Sequence, residues 1–266
     1  MNILEKIVAT KKDEVAAAKR LFPKSMLVDK PLFRSAVHSV TDAISSGNTT
    51  GVITEFKRRS PSKGWINENA DPVQVATGYA AGGASAISVL TDTQYFGGSL
   101  SDLDKVRKAV AIPLLRKDFT IDAYQLYEAK AHGADIILLI AAILSPAQVN
   151  ELAEEAHNIG LEVLLEIHDE TELLHVCPAA DLVGINNRNL KNFEVDIEHS
   201  IRLQSMLPRH TIRVAESGIH SPEVATQLLQ SGFDCLLMGE YFMKQQDPSI
   251  AFASFTNQLK NLVHAG

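Results

Sequence analysis

Cysteine is almost missing from this chain. Only Cys177 and Cys235 occur among 266 residues, in no CxxC pair, which excludes a disulfide framework or a zinc knuckle and leaves two reduced core thiols. Long apolar runs are missing too. The longest, Ile136 to Leu144, has nine residues, well short of the roughly 20 that cross a bilayer. The N-terminal MNILEKIVATKKDEVAAAKR scatters charge where a signal peptide needs an apolar core, so a cytoplasmic protein with no membrane role is expected. An excess of positive charge is likewise absent, since 25 Lys and Arg face 32 Asp and Glu for a net charge of −7. Binding to a phosphate backbone demands clustered cations, so nucleic acid is not an expected partner. Low-complexity linkers are lacking, which favours one domain over residues 1–266. HxH, HExxH, GxSxG and GxGxxG do not occur, so no metal, nucleotide cofactor or serine triad is expected. No obligate protein partner is called for.

What the chain does contain is 45% hydrophobic and 21% charged residues, enough for a large folded core, arranged in a repeating pattern. Short β-branched or Leu-rich runs begin at Gly51, Ala86, Ile112, Asp135, Leu161, Asp181, Thr211 and Asp234. Segments of helical period separate them: 72–81, 99–109, 121–132, 146–158, 169–176, 197–206 and 222–230, with 248–263 closing the series. Eight strand–helix units at this spacing predict an α/β fold, a (β/α)8 TIM barrel. An open doubly wound sheet is the alternative, and it more often carries a GxGxxG after its first strand. The first 50 residues read as two further helices, 3–19 and 33–45, flanking the barrel mouth.

In such a barrel the active site forms where the strands end, and polar residues crowd those ends: Glu55 and Lys57, then Arg116, Lys117 and Asp118, Glu166 and His168, Asn186, Asn187 and Arg188, and Glu216, Ser217 and Gly218. A single charge at a strand end is ordinarily just solvated. Glu55 and Glu166, however, follow apolar residues in strands that point apolar groups inward, where an unpaired carboxylate is costly. Lys57 and Lys117 can neutralise them. Acids and ammoniums sharing a partly dry cavity make a proton-transfer set. Ser217–Gly218 ahead of a helix, and Gly239–Glu240 after the last strand, offer main-chain N–H groups to a phosphate. The Glu240 carboxylate is expected to turn away, and Ser60 can donate to the same phosphate. The segment from Arg58 to Ala70 suits a mobile lid. Lys117 as a Schiff-base nucleophile stays open.

These residues lie in motifs, EFKRRSPSKG from Glu55, ISVLTDTQYFGGSL from Ile87, LLRKDF from Leu114, GADIILLI from Gly133, GINNRNL from Gly184 and AESGI from Ala215, by which the chain resembles the indole-3-glycerol phosphate synthases along essentially its whole length. The resemblance implies a lyase of tryptophan biosynthesis that closes the indole ring of 1-(2-carboxyphenylamino)-1-deoxyribulose 5-phosphate with loss of carbon dioxide and water, without cofactor or metal. By the same resemblance Lys117 is the general acid and Glu166 the acid/base of dehydration. Glu55 and Asn186 position or stabilise, and Lys57 meets the substrate carboxylate. Ser60, Ser217, Gly218, Gly239 and Glu240 fall at the phosphate with Arg188 nearby, while Phe96, Phe119 and Leu138 form the wall around the aromatic ring. Ser88 is a further candidate for ligand contact. A phosphosugar isomerase would use the same phosphate shelf, and a catalytically silent binding protein is disfavoured by the complete acid set.

Overall fold

A computed structural model describes residues 2–188 and 195–265; the last two residues of the GINNRNL motif lie outside them. Eight parallel strands close into a barrel: β1 (Val52–Phe56), β2 (Ala86–Leu90), β3 (Leu114–Lys117), β4 (Ile136–Ile140), β5 (Glu162–Ile167), β6 (Leu182–Asn186), β7 (Ile212–Glu216) and β8 (Cys235–Met238), with β8 paired back to β1. β3 starts two residues after the run beginning at Ile112, because Pro113 has no N–H for a ladder.

Each strand sorts its side chains by parity. Inward go Ile53, Ala86, Leu115, Leu138, Leu164, Leu182, Val214 and Cys235, forming one buried cluster inside the barrel. Outward go residues such as Val52, Phe56, Val89, Leu139, Leu165, Val183 and Leu236, packed under the helices in a second cluster. Cys235 is buried and Cys177 only partly so, both as free thiols.

The covering helices are α4 (Pro72–Ala81), α5 (Leu100–Ala109), α6 (Tyr124–Ala131), α7 (Pro146–Asn158), α8 (Ile197–Gln204) and α9 (Pro222–Gln230), then a short α10 (Glu240–Met243) and α11 (Pro248–Ala265). α4, α5, α7 and α9 open on Asp71, Ser99, Ser145 and Ser221, whose side chains accept the N–H three residues on, satisfying donors that a helix start leaves bare. The helix expected over 169–176 is instead a 3-10 helix, Glu170–His175. This is the shortest interval between strands, and the larger rise per residue of a 3-10 turn spans it with fewer residues. No described helix is long and apolar enough to cross a membrane.

The N-terminal extension differs from expectation in layout. α1 (Ile3–Leu21) runs two residues longer, a second helix α2 (Lys24–Val28) follows, Pro31–Arg34 is a 3-10 turn, and α3 covers only Val40–Ser45. α1 borders the mouth. α3 instead plugs the opposite end, with Val40 wholly buried in the inner cluster. Its first turn is capped twice, by Ser39 and by the Glu162 carboxylate of β5, which accepts Val40 N–H at 2.6 Å and the Thr41 hydroxyl at 2.7 Å.

Candidate active site

At the C-terminal strand ends the inward layer changes chemistry. One step of two residues beyond the buried inner positions, or two steps on β2 and β6, brings Glu55, Leu90, Lys117, Ile140, Glu166, Asn186, Glu216 and Leu237, and all of them line one cavity of about 610 Å3. Alternation alone put them there; barrel closure brought them within contact.

Lys117 Nζ lies 3.1 Å from Glu166 Oε2 and 3.5 Å from Glu216 Oε2, while Lys57 Nζ lies 2.6 Å from Glu55 Oε1. The other Glu166 oxygen accepts Asn186 Nδ2–H at 3.1 Å. His168 Nε2 lies 3.1 Å from the same oxygen, outside hydrogen-bond alignment, and its Nδ1 faces Glu172 at 3.3 Å. Burial penalises every one of these charges, and the neighbours decide the outcome. For Lys117, Glu166, Glu216 and Glu55 outweigh burial and hold the ammonium well above its usual range. Burial also raises Glu166, but Lys117, His168 and Asn186 overcome it and hold the carboxylate far below its ordinary range. Lys57 and Lys117 likewise outweigh burial for Glu55 and hold its carboxylate below its ordinary range. Glu216 is the exception. Burial and the charges of Glu166 and Glu55 exceed the pull of Lys117 and push it up to about 7.

Room for these carboxylates comes from two glycines. A Cβ on Gly184 would sit 2.0 Å from Glu216 Oε1, and one on Gly239 would meet Glu55 Cβ at 2.8 Å.

Opposite the charges, the Phe96 and Phe119 rings tilt together with centroids 5.9 Å apart, and Ile3, Leu4 and Ile7 of α1 complete an apolar face. At the far side of the mouth Ser217 holds φ +64 and Gly218 φ +70, a left-handed pair that bends the main chain around the cavity. Asn187 Nδ2 braces it by donating to Ser217 O at 2.7 Å. α10 opens on Gly239 without a side-chain cap. The Glu240 carboxylate, expected to turn away, is drawn to Arg188 at 3.4 Å, and both residues line the cavity.

The segment expected as a mobile lid forms a small hairpin, Arg59–Ser60 against Gly64–Trp65. Its base is tied down by Arg58, which meets both Asp102 oxygens at 2.7 and 3.2 Å. Only the tip, Ser60 to Ser62, reaches the cavity.

Two of the residues expected at the ligand, Ser88 and Leu138, face inward and are buried, and the cavity lining includes instead Leu90 and Ile140, two residues further along the same strands. Glu216 is the converse, a polar strand end to which the sequence motifs assign no role. The signal was present, since Val214 and Glu216 share the parity that places Glu55 and Glu166 inside. Lys117, held fully charged, is a proton donor and a poor nucleophile, which weighs against the Schiff-base alternative.

Comparison with known proteins bears on the family and the fold. The profile of the indole-3-glycerol phosphate synthase family matches residues 4–255. Indole-3-glycerol phosphate synthase from Bacteroides thetaiotaomicron is 47% identical, over 97% of this chain and 99% of the relative. That from Bordetella pertussis is 42% identical, over 95% and 98%. Among solved structures, tryptophan synthase subunit alpha from Legionella pneumophila superposes with a TM-score of 0.62 at 12% identity, covering 85% of this chain and 97% of that one. The 3-hexulose-6-phosphate synthase of Salmonella typhimurium gives 0.59 at 12% identity, over 80% and 98%. At such identities these two speak for the barrel alone.

Proposed function

The chain belongs to the indole-3-glycerol phosphate synthase family, and on that footing we propose a division of labour among its buried charges. The enzyme is a carbon–carbon lyase of tryptophan biosynthesis acting on a small phosphorylated substrate. It joins the carboxylate-bearing ring carbon of 1-(2-carboxyphenylamino)-1-deoxyribulose 5-phosphate to the ketone carbon, and carbon dioxide and water leave.

In the proposal Lys117 donates its proton to the ketone oxygen as the new carbon–carbon bond forms, leaving a neutral amine. Loss of carbon dioxide then returns the bond electrons to the ring. Dehydration follows, with Glu166 protonating the departing hydroxyl and the Lys117 amine taking the adjacent C–H proton, so the ammonium is restored. Asn186 holds the Glu166 carboxyl, and Lys57, fixed by Glu55, meets the substrate carboxylate. Ser60 and the main chain at Ser217, Gly218, Gly239 and Glu240 take the phosphate, with Arg188 at its edge. Phe96, Phe119 and Leu138 form the wall around the aromatic ring, with Ile140 of the cavity lining beside them. A cytoplasmic location belongs to the same proposal.

The observation that carries it is the Lys117 ammonium within 3.1 Å of Glu166 and 3.5 Å of Glu216, inside a cavity with one apolar side. Charge developing on the ketone oxygen meets a preorganised cation there. The test is turnover of the anilino-ribulose phosphate followed by indole fluorescence. Lys117→Ala is expected to lose at least about a hundredfold in kcat while still binding substrate, and near-normal kcat removes Lys117 from its role. Glu166→Gln should lower kcat strongly with a smaller change in KM.

A further inference from the structure

The proposed reaction has a proton balance that its two principal groups do not close. Substrate enters as a carboxylate and leaves as neutral carbon dioxide, so each turnover consumes one proton from solvent. Lys117 spends a proton in ring closure and regains one from the substrate carbon in dehydration. Glu166, held ionised at rest, gives a proton to the leaving hydroxyl and has none of its own. The missing proton must reach Glu166 between the two steps.

We infer that His168 delivers it, as the inner member of a relay from Glu172 to Glu166. This rests on the reading of Lys117 and Glu166 given above. His168 follows Glu166 by two residues at the end of β5 and sits between two carboxylates, with Nε2 3.1 Å from Glu166 Oε1 and Nδ1 3.3 Å from Glu172 Oε2. Glu172 also accepts the His168 main-chain N–H at 2.6 Å, and His199 Nε2 lies 3.0 Å from the His168 carbonyl oxygen. The main chain of His168 is thereby held on both sides, and its ring is held at Nδ1 by Glu172. Burial opposes its charge, but Glu166 and Glu172 outweigh burial and push it up to about 10, with Asp169 and Glu216 the other charges that feel it. An imidazolium is therefore standing against Glu166 at neutral pH.

In the resting site no transfer occurs, because Lys117 and His168 together stabilise the carboxylate. Ring closure removes the Lys117 charge, and the proton affinity of Glu166 rises when that neighbour is gone. His168 Nε2–H, 3.1 Å from Glu166 Oε1 but out of line with it at rest, turns into line, and its N–H bond breaks as the Glu166 Oε1–H bond forms. The carboxyl passes that proton to the departing hydroxyl, which leaves as water. Neutral His168 recovers a proton from solvent past Glu172, whose side chain is 13% exposed against 3% for Glu166. His168 is on this account a positioning residue that acts through Glu166 and touches no substrate.

The experiment is steady-state kinetics of His168→Asn and Glu172→Gln, with and without added imidazole, across pH. His168→Asn should lower kcat roughly tenfold or more with KM within about twofold, and imidazole near neutral pH should restore much of the loss. Unchanged kcat, a rise in KM alone, or a loss in the folded variant that imidazole does not touch would each overturn the relay. Glu172→Gln removes one stabilising charge, so its kcat should fall at a lower pH than in the parent enzyme; superimposable profiles count against the relay even where His168→Asn does not fold. Lys117→Ala separates the two levels of the argument. Its retention of activity ends the parent reading, whereas full activity of His168→Asn beside an inactive Lys117→Ala ends only the relay.

Discussion

Glu216 is the least comfortable side chain in the site. Its Oε1 is buried without a hydrogen-bond partner, and its carboxyl is raised to about 7 by burial, with Glu166 and Glu55 adding to the effect. A raised carboxyl favours the folded state below its unfolded value near 4.5, and that contribution is lost as pH climbs through about 7. Above neutrality the ionised group is a strain on the fold. Glu216→Gln should accordingly stabilise the protein at pH 8 relative to pH 5 by on the order of 1–3 kcal/mol while lowering turnover; equal effects on Tm at both pH values would contradict the assignment. The parity of β7 made Glu216 findable, but its awkward proton affinity depends on Glu166 and Glu55 lying across the same cavity. No spacing along the chain expresses that.

Among the elements, α1 has the most unusual attachment. Lys11, on its inner face, is 4% exposed, and its Nζ reaches Asp118 at 2.9 Å and Asp92 at 3.3 Å. Burial works against this ammonium, yet Asp118, Glu14 and Asp92 hold it well above its usual range. Asp118 directly follows Lys117, and Asp92 Oδ1 accepts the Tyr95 main-chain N–H at 2.8 Å, beside Phe96. One lysine thus ties a helix outside the barrel to two walls of the cavity. Lys11→Met leaves two buried carboxylates short of a partner, for which a loss of about 3–5 kcal/mol is usual, and KM should rise severalfold as α1 loosens. Denaturant unfolding together with substrate titration checks both effects. That α1 is a helix was legible in the sequence. Its docking was not, because Lys11 looks like any solvated lysine until Asp92 and Asp118 meet it. The split of 33–45 into a turn and α3 has the same origin, since the cap from Glu162 comes from 122 positions away.

At the scale of the whole molecule the barrel divides its labour between two ends. The mouth concentrates buried charge, and the opposite end is closed by α3, with Val40 fully buried among Ile53, Ile136 and Leu164. Placing function at one rim and stability at the other is the usual economy of this architecture. Val40→Ala should therefore lower stability by roughly 1–3 kcal/mol through the void it leaves and leave kcat and KM near the parent values; a matching loss of kcat would mean that the two ends are coupled. By itself the sequence determined the eight strand–helix units, the parity that sends Glu55, Lys117, Glu166, Asn186 and Glu216 inward, and the glycines that make space for them, because each of these is a local property of period or steric volume. Only the closed tertiary structure decided which charges share a neighbour, that Leu90 and Ile140 line the cavity, and that α3 seals the far end. Coulomb energy and packing depend on distance through space, and the barrel brings together side chains that the chain itself keeps far apart.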